Sequence, residues 1–319
     1  MTVSAMSRLP GISALVIGVL LILPGCGGKP AAGTATDSKE QGIPSSTGAG
    51  STGHSGAETP AAGSAMQPAT VDIKSGVGKE AVDFLQAVRA GTAKADQLSA
   101  PFAKAIGLPI VFDSDKAKGY SASSAEDWMR KVGASIQFGL PLSSTLVGDV
   151  ALFRGMLQGK TGGYWLRMVK EGGSWKVDWL SASTAHVKKG IAASSGSADA
   201  VLQEFAVTAV VEAICDKDAM PSKERTAVVS AGMTPRLRAE WAPPLDGDRT
   251  TGHDYSPAKL AFKINDIGNE VESVNYTQNG DAEYSVEIVK SGGAKVMYHA
   301  KLTRDATLDR WLVEHLAGG

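Results

Sequence analysis

Trp175-Lys176-Val177-Asp178-Trp179-Leu180 returns near the end of the chain as Trp311-Leu312-Val313-Glu314-His315-Leu316. Four of the six positions are identical or exchange one acid for the other. Working back from the first copy, Glu171-Gly172-Gly173 is turn chemistry between two apolar alternations, which predicts a hairpin of strands 163–170 and 174–181. Strands are also expected at 134–138 and 146–157. Before them the spacing changes to the helical period: Ala81, Val82, Leu85 and Val88 within 78–90, then Leu98, Phe102 and Ile106 within 94–106. Ser124, with Asp127 three residues on, predicts the capped start of a third helix carrying Trp128, Met129 and Val132.

The second copy closes a segment of the same plan. Ser197 is expected to cap a helix presenting Val201, Leu202, Phe205 and Ile214. Helices follow over 222–231, from Thr234-Pro235 to Trp241, and from Ser256-Pro257 through Leu260, Ala261 and Ile264, with each proline at the first turn, where its missing N–H costs nothing. Strands are expected over 270–277, 283–290, 294–303 and 308–316. Helices first and strands after, twice, predict an α+β fold in which each half lays its helices on a curved antiparallel sheet.

A register centred on the 171–173 turn places Met168 opposite Val177, Leu166 opposite Trp179 and Arg167 opposite Asp178. It turns the Arg167–Asp178 pair outward, and Trp165 with it. Carried to the second half, it places His299 opposite Glu314 and makes Tyr298 and His315 neighbours on the buried side. Tyr298 and His315 are thus the candidate pocket residues, because a buried histidine beside a phenol can bind or exchange protons near neutral pH.

The element order and the tryptophan-bearing closing strand resemble the nuclear transport factor 2-like (NTF2-like) superfamily, also described as SnoaL-like or cystatin-like cones. The resemblance covers 77–316 as two tandem units, bounded here as 71–190 and 191–319. It implies either a ketosteroid-isomerase-like enzyme or one of the family's many binding modules, and a fold does not choose between them.

The N-terminus carries a different signal. Arg8 precedes an apolar run over 12–23, about 12 residues, where a bilayer span needs about 20. The run ends in Leu23-Pro24-Gly25-Cys26, which resembles the bacterial lipobox, with Pro24 a departure from the usual pattern. The resemblance implies a signal peptide over 1–25, a lipidated Cys26 and attachment to a membrane of the cell envelope. Gly27 rather than Asp after the cysteine favours the outer membrane. Residues 26–70 are dominated by Gly, Ala, Ser, Thr and Pro, a composition expected to stay disordered as a tether with a reach of roughly 35–40 Å.

Composition narrows the function. With 32 basic and 33 acidic residues and no large basic block, there is no electrostatic footprint for nucleic acid. Of two cysteines, Cys26 is assigned to lipid, and Cys215 in an apolar helical stretch reads as a buried small hydrophobe. Asp246, Asp248, His253 and Asp254 form the most polar stretch, whose composition is that of turns. No catalytic, cofactor or metal motif is found. The expectation is a non-enzymatic module that binds an envelope protein or a small apolar ligand, with an isomerase-like enzyme as the alternative.

Overall fold

The computed structural model describes residues 68–108, 110, 122–189, 197–216 and 218–319. The signal peptide, Cys26 and all but the last residues of the tether lie outside them, as does the 190/191 boundary between the expected units.

The fold is α+β. In the first half, β1 (Ala69–Thr70), α1 (Gly76–Ala90), a 3-10 turn (Ala95–Gln97), α2 (Ala100–Gly107) and α3 (Ala122–Ser135) precede β2 (Phe138–Val147), β3 (Val150–Leu157), β4 (Gly163–Glu171) and β5 (Ser174–Ser183). These strands form an antiparallel sheet in the order β1-β2-β3-β4-β5. After β6 (His186–Lys189), the second half has α4 (Ala198–Ile214), α5 (Ser222–Ala231), α6 (Pro235–Trp241), α7 (Asp246–Thr250) and α8 (Pro257–Gly268). Then come β7 (Val271–Gly280), β8 (Glu283–Lys290), β9 (Lys295–Asp305) and β10 (Arg310–Gly318). The second sheet runs β10-β9-β8-β7-β6, antiparallel except that β6 joins β7 in parallel.

Three expected elements are corrected by local chemistry. Residues 134–138 are not a strand, because α3 runs to Ser135 and β2 begins only at Phe138. The expected strand 146–157 is a hairpin, with Gly148 at φ 58° making the turn between β2 and β3. The helix over 94–106 is interrupted because Ser99 takes the N-cap of α2, its hydroxyl accepting from the Phe102 N–H. Where α3 crosses α1, Gly133 is obligatory in practice: a Cβ there would lie 1.9 Å from the Val88 carbonyl oxygen.

The helix at the centre is α4. It is buried nearly all round, as a helix enclosed by other elements must be. On one side it meets the second sheet, where Tyr284 Oη donates to Gln203 Oε1 at 3.4 Å and Tyr276 Oη to Glu212 Oε1 at 3.5 Å. On the other it meets the first sheet: Arg154 of β3 donates to Glu204 Oε1 at 3.1 Å and to Thr208 Oγ1 at 3.0 Å. Ser181 Oγ of β5 donates to the Ala209 carbonyl. Further along, Trp128 Nε1 of α3 donates to the Glu224 carbonyl of α5 at 3.1 Å. One hydrophobic cluster therefore runs through both halves.

Both closing strands carry a bulge at the same place. Met168 pairs with Val177 as expected, but Arg167 pairs with Trp179 and Leu166 with Leu180, leaving Asp178 as the extra residue. In β10, Val313 pairs with Leu302 and His315 with Lys301, leaving Glu314 as the extra residue. A period-2 register cannot anticipate a bulge, and every side chain beyond it changes face. Trp179 accordingly joins Leu152, Arg154, Trp165, Arg167 and Ser181 on the face toward α4. That face is not outward: Trp165, Arg167 and Asp178 are all buried.

Candidate functional site

The geometry draws attention to the place where β4, β5, α4 and β10 converge. Arg167 and Arg310 come there from the closing hairpins of the two sheets, with Asp178 between them. Arg167 and Asp178 form a buried ion pair, their side chains 7% and 6% exposed. Asp178 Oδ1 also accepts from Ser99 Oγ at 2.6 Å, and Arg167 Nη2 donates to the Asp309 carbonyl at 3.1 Å. Arg310 is less completely satisfied. Its Nη2 donates to the Ala231 carbonyl at 3.0 Å, while Nη1 stands 3.8 Å from Asp178 Oδ2, too far for a hydrogen bond. Both Nη1 and Nε of Arg310 are buried without an acceptor, as is Nε1 of the next residue, Trp311. Burial pulls the Arg310 guanidinium below its ordinary pKa, against the opposing pull of Asp178.

These groups line a cavity of about 30 Å³. Its walls are apolar, with Leu202, Phe205, Ala206, Ala209 and Val210 from α4 facing Trp179, Trp311 and Leu312. Leu202, Ala206 and Trp311 are only partly buried and mark its mouth. The cavity is mostly apolar with a few polar groups converging on it, a composition like that of ligand sites in a space far smaller than most of them. It was not legible in the sequence because its walls come from both halves. The one available signal was the pairing of Arg167 with Asp178, whose burial depends on α4.

A second polar cluster lies between α4 and the second sheet. Glu212 is 3% exposed and has no cation within ion-pair distance among the described residues. Burial pushes its carboxyl up to about 8, against weaker opposing effects of Arg154 and the Tyr276 hydroxyl. Burial and the adjacent Glu212 raise Tyr276 as well. Cys215 is buried and free, its thiol pushed up to about 12 by burial first and by Glu212 second, which makes it inert as a nucleophile.

Tyr298 and His315 are not brought together. The β10 bulge pairs His315 with Lys301 and Tyr298 with Gly318, so the two side chains belong to opposite faces of the sheet. Tyr298 is partly buried beside Ala300 and Leu302, whereas His315 is exposed. His299 lies opposite Ala317 rather than Glu314.

The polar stretch at 246–254 forms a short helix rather than turns alone. Asp248 Oδ2 accepts from the Leu245 N–H at 2.8 Å, and Asp254 holds Arg238 through two hydrogen bonds of 3.0 and 2.6 Å. His253 is buried, its ring 5.0 Å from that of Tyr255. Among the described residues, no group of three His, Cys, Asp or Glu side chains is placed to hold a metal ion. Compared with known proteins, the chain matches no family model, no curated protein and no solved structure.

Proposed function

We propose that this chain is a membrane-anchored lipoprotein of the bacterial cell envelope, lipidated on Cys26, in which two tandem NTF2-like units act as a non-enzymatic binding module. The observation that carries the binding role is the apolar cavity at the junction of β4, β5, α4 and β10, with its buried and incompletely satisfied charges. The lipobox resemblance at Leu23-Pro24-Gly25-Cys26 supports the anchor. Among the described residues no helix is long and apolar enough to cross a membrane, and attachment in this reading rests on Cys26. The alternating helix–sheet plan and the matching bulges support the tandem. The outer membrane is the favoured location.

Two variants test this reading. Cys26→Ala should move the protein from the membrane fraction to the soluble fraction, and unchanged retention would remove the anchor. Ala206→Phe should fill the cavity mouth and abolish the quenching of tryptophan emission by small apolar ligands, without lowering the melting temperature. Ligand binding that survives Ala206→Phe would place it elsewhere.

One observation favours a second reading, an isomerase-like enzyme: a protonated Glu212 beside Tyr276 is the type of acid pair such chemistry uses. Both groups are sealed from solvent, so a substrate could reach them only if α4 moved away from the second sheet. Turnover of an enolisable ketone that is lost in Glu212→Gln would establish it in place of the binding reading.

A further inference from the structure

We infer that the folded part of the chain rests on the lipid bilayer through an apolar patch made by Leu140 and Leu142 of β2 and Met156 of β3. The inference rests on the lipid anchor at Cys26 and names the face that the anchored protein turns to the membrane.

The patch is both exposed and uncharged. Leu140, Leu142 and Met156 are 61%, 74% and 51% exposed. The two leucines stand on either side of Pro141, and Met156 lies across the ladder, between the pairs Pro141–Gly155 and Phe138–Leu157. No charged residue occurs over 132–148. The other large apolar side chains exposed among the described residues, Leu245, Phe262 and Met297, all belong to the second half. Apolar side chains gathered at one exposed place mark a contact surface.

Two observations favour lipid over a protein partner. The first is the edge. β1 pairs with β2 only at Leu146 and Thr145, so among the described residues no strand pairs the outer edge over 138–143. That edge is unfit for a further strand, because Pro141 offers no N–H and the register shifts on both sides of it. The second is area. Two leucines and a methionine offer a few hundred Å² at most, whereas a stable interface takes about 800 Å² from each partner. A bilayer makes neither demand, since side chains enter its interface one by one and need no backbone partner.

The place where the chain enters the fold agrees. The tether expected over 26–70 ends at β1, against Leu146 and Thr145 of the strand that carries both leucines. At about 3.3 Å per residue, Leu142 and Leu140 lie about 10–20 Å further along that strand. The tether reaches roughly 35–40 Å, so the patch can meet the surface without stretching it. A weak contact is then enough, because a flexible link of this kind holds the patch near the bilayer at an effective concentration on the order of millimolar.

The test reads the depth of single sites. The full chain, expressed in bacteria and reconstituted in phosphatidylcholine vesicles, carries an environment-sensitive dye on Leu142→Cys or, for comparison, on Phe262→Cys. Cys215 is buried and does not compete for the dye. The dye at 142 should shift to the blue and be quenched by nitroxides on the acyl chains several times more than the dye at 262. Adding Leu140→Ser and Met156→Ser, both at exposed sites, should lower the ratio of docked to undocked protein by at least about tenfold without changing the melting temperature. A dye at 142 that stays in water while the protein floats with the vesicles overturns the patch and leaves the anchor standing. A chain that does not float with the vesicles overturns the anchor and the patch with it. A blue shift at 142 without vesicles, in a Cys26→Ala chain that sediments as a dimer, overturns it in favour of a second copy. Stronger quenching at 262, released by about 1 M salt, overturns it in favour of the α8 face that carries Lys259 and Lys263.

Discussion

The two closing hairpins, β4–β5 and β9–β10, start from nearly the same local structure and end in opposite environments. In each, a segment ahead of a capped helix runs parallel to the closing strand: Leu98 bridges to Val177, and Met233 to Val313. Ser99 N–H donates to the Val177 carbonyl at 2.8 Å and Thr234 N–H to the Val313 carbonyl at 3.0 Å. Ser99 and Thr234 then cap α2 and α6 through their own hydroxyls. Each strand has its bulge at the next residue, an acid, and each follows it with an aromatic or imidazole side chain on the far face. In β5 those residues, Asp178 and Trp179, are 4% and 5% exposed. In β10 Glu314 is partly exposed, and His315 and its partner Lys301 are exposed. The difference is α4, which lies against the far face of the first sheet through Arg154 and Ser181. No described element lies in the equivalent place on the second sheet. The same backbone motif therefore makes a buried charge cluster and a cavity in one half and a wetted surface in the other.

The contrast can be broken most forcefully at the residue after the bulge. Trp179→Ala should cost about 3–5 kcal/mol in chemical denaturation, the usual range for emptying a buried indole site, whereas His315→Ala should stay within about 0.5 kcal/mol. Comparable losses would mean that the far face of the second sheet is covered as well.

The bulged acids come next. Asp178→Asn leaves Arg167 and Arg310 buried without their counter-charge and should cost about 3 kcal/mol, while Glu314→Gln should change stability by less than about 0.5 kcal/mol. A neutral Asp178→Asn would show that bound anions already balance the arginines, and repeating the measurement in chloride-free buffer would expose them.

A third test contrasts Asp178, a buried acid held between two arginines, with Glu212, which has none. The Glu212 carboxyl lies near 8 in the folded protein against about 4.5 in the open chain, so the folded state holds one proton more between those values. Its stabilising contribution is complete below about pH 4.5 and is lost as pH rises to about 8, at a limiting slope of about 1.4 kcal/mol per pH unit. Glu212→Gln should flatten that part of the stability profile. A profile unchanged by the substitution would mean that Glu212 is ionised and paired in solution.

The caps give the smallest effect. Thr234→Ala should lose about 1 kcal/mol, the ordinary value of a cap. Ser99→Ala should lose about 1 kcal/mol more, because the Ser99 hydroxyl also donates to the Asp178 carboxylate. Equal losses would show that the Ser99–Asp178 bond adds nothing beyond the cap.

The sequence by itself determined most of the elements and the helices-then-strands order of each half. The extents of α5 and β8, the caps at Ser197 and Thr234, the hairpin at 171–173 and the equivalence of the two closing strands follow from spacing and turn chemistry within a few residues, where local forces decide. Only the tertiary structure decided which faces are buried. A bulge inserts one residue without a compositional mark, and it moved Trp179 to the far face of the sheet and separated His315 from Tyr298. The cavity needed more than register. Arg167 and Arg310 are far apart in the chain and meet only because α4, buried nearly all round, fits between the two sheets. Which surface a helix covers depends on the shape of the partner presented to it, and no local pattern encodes that.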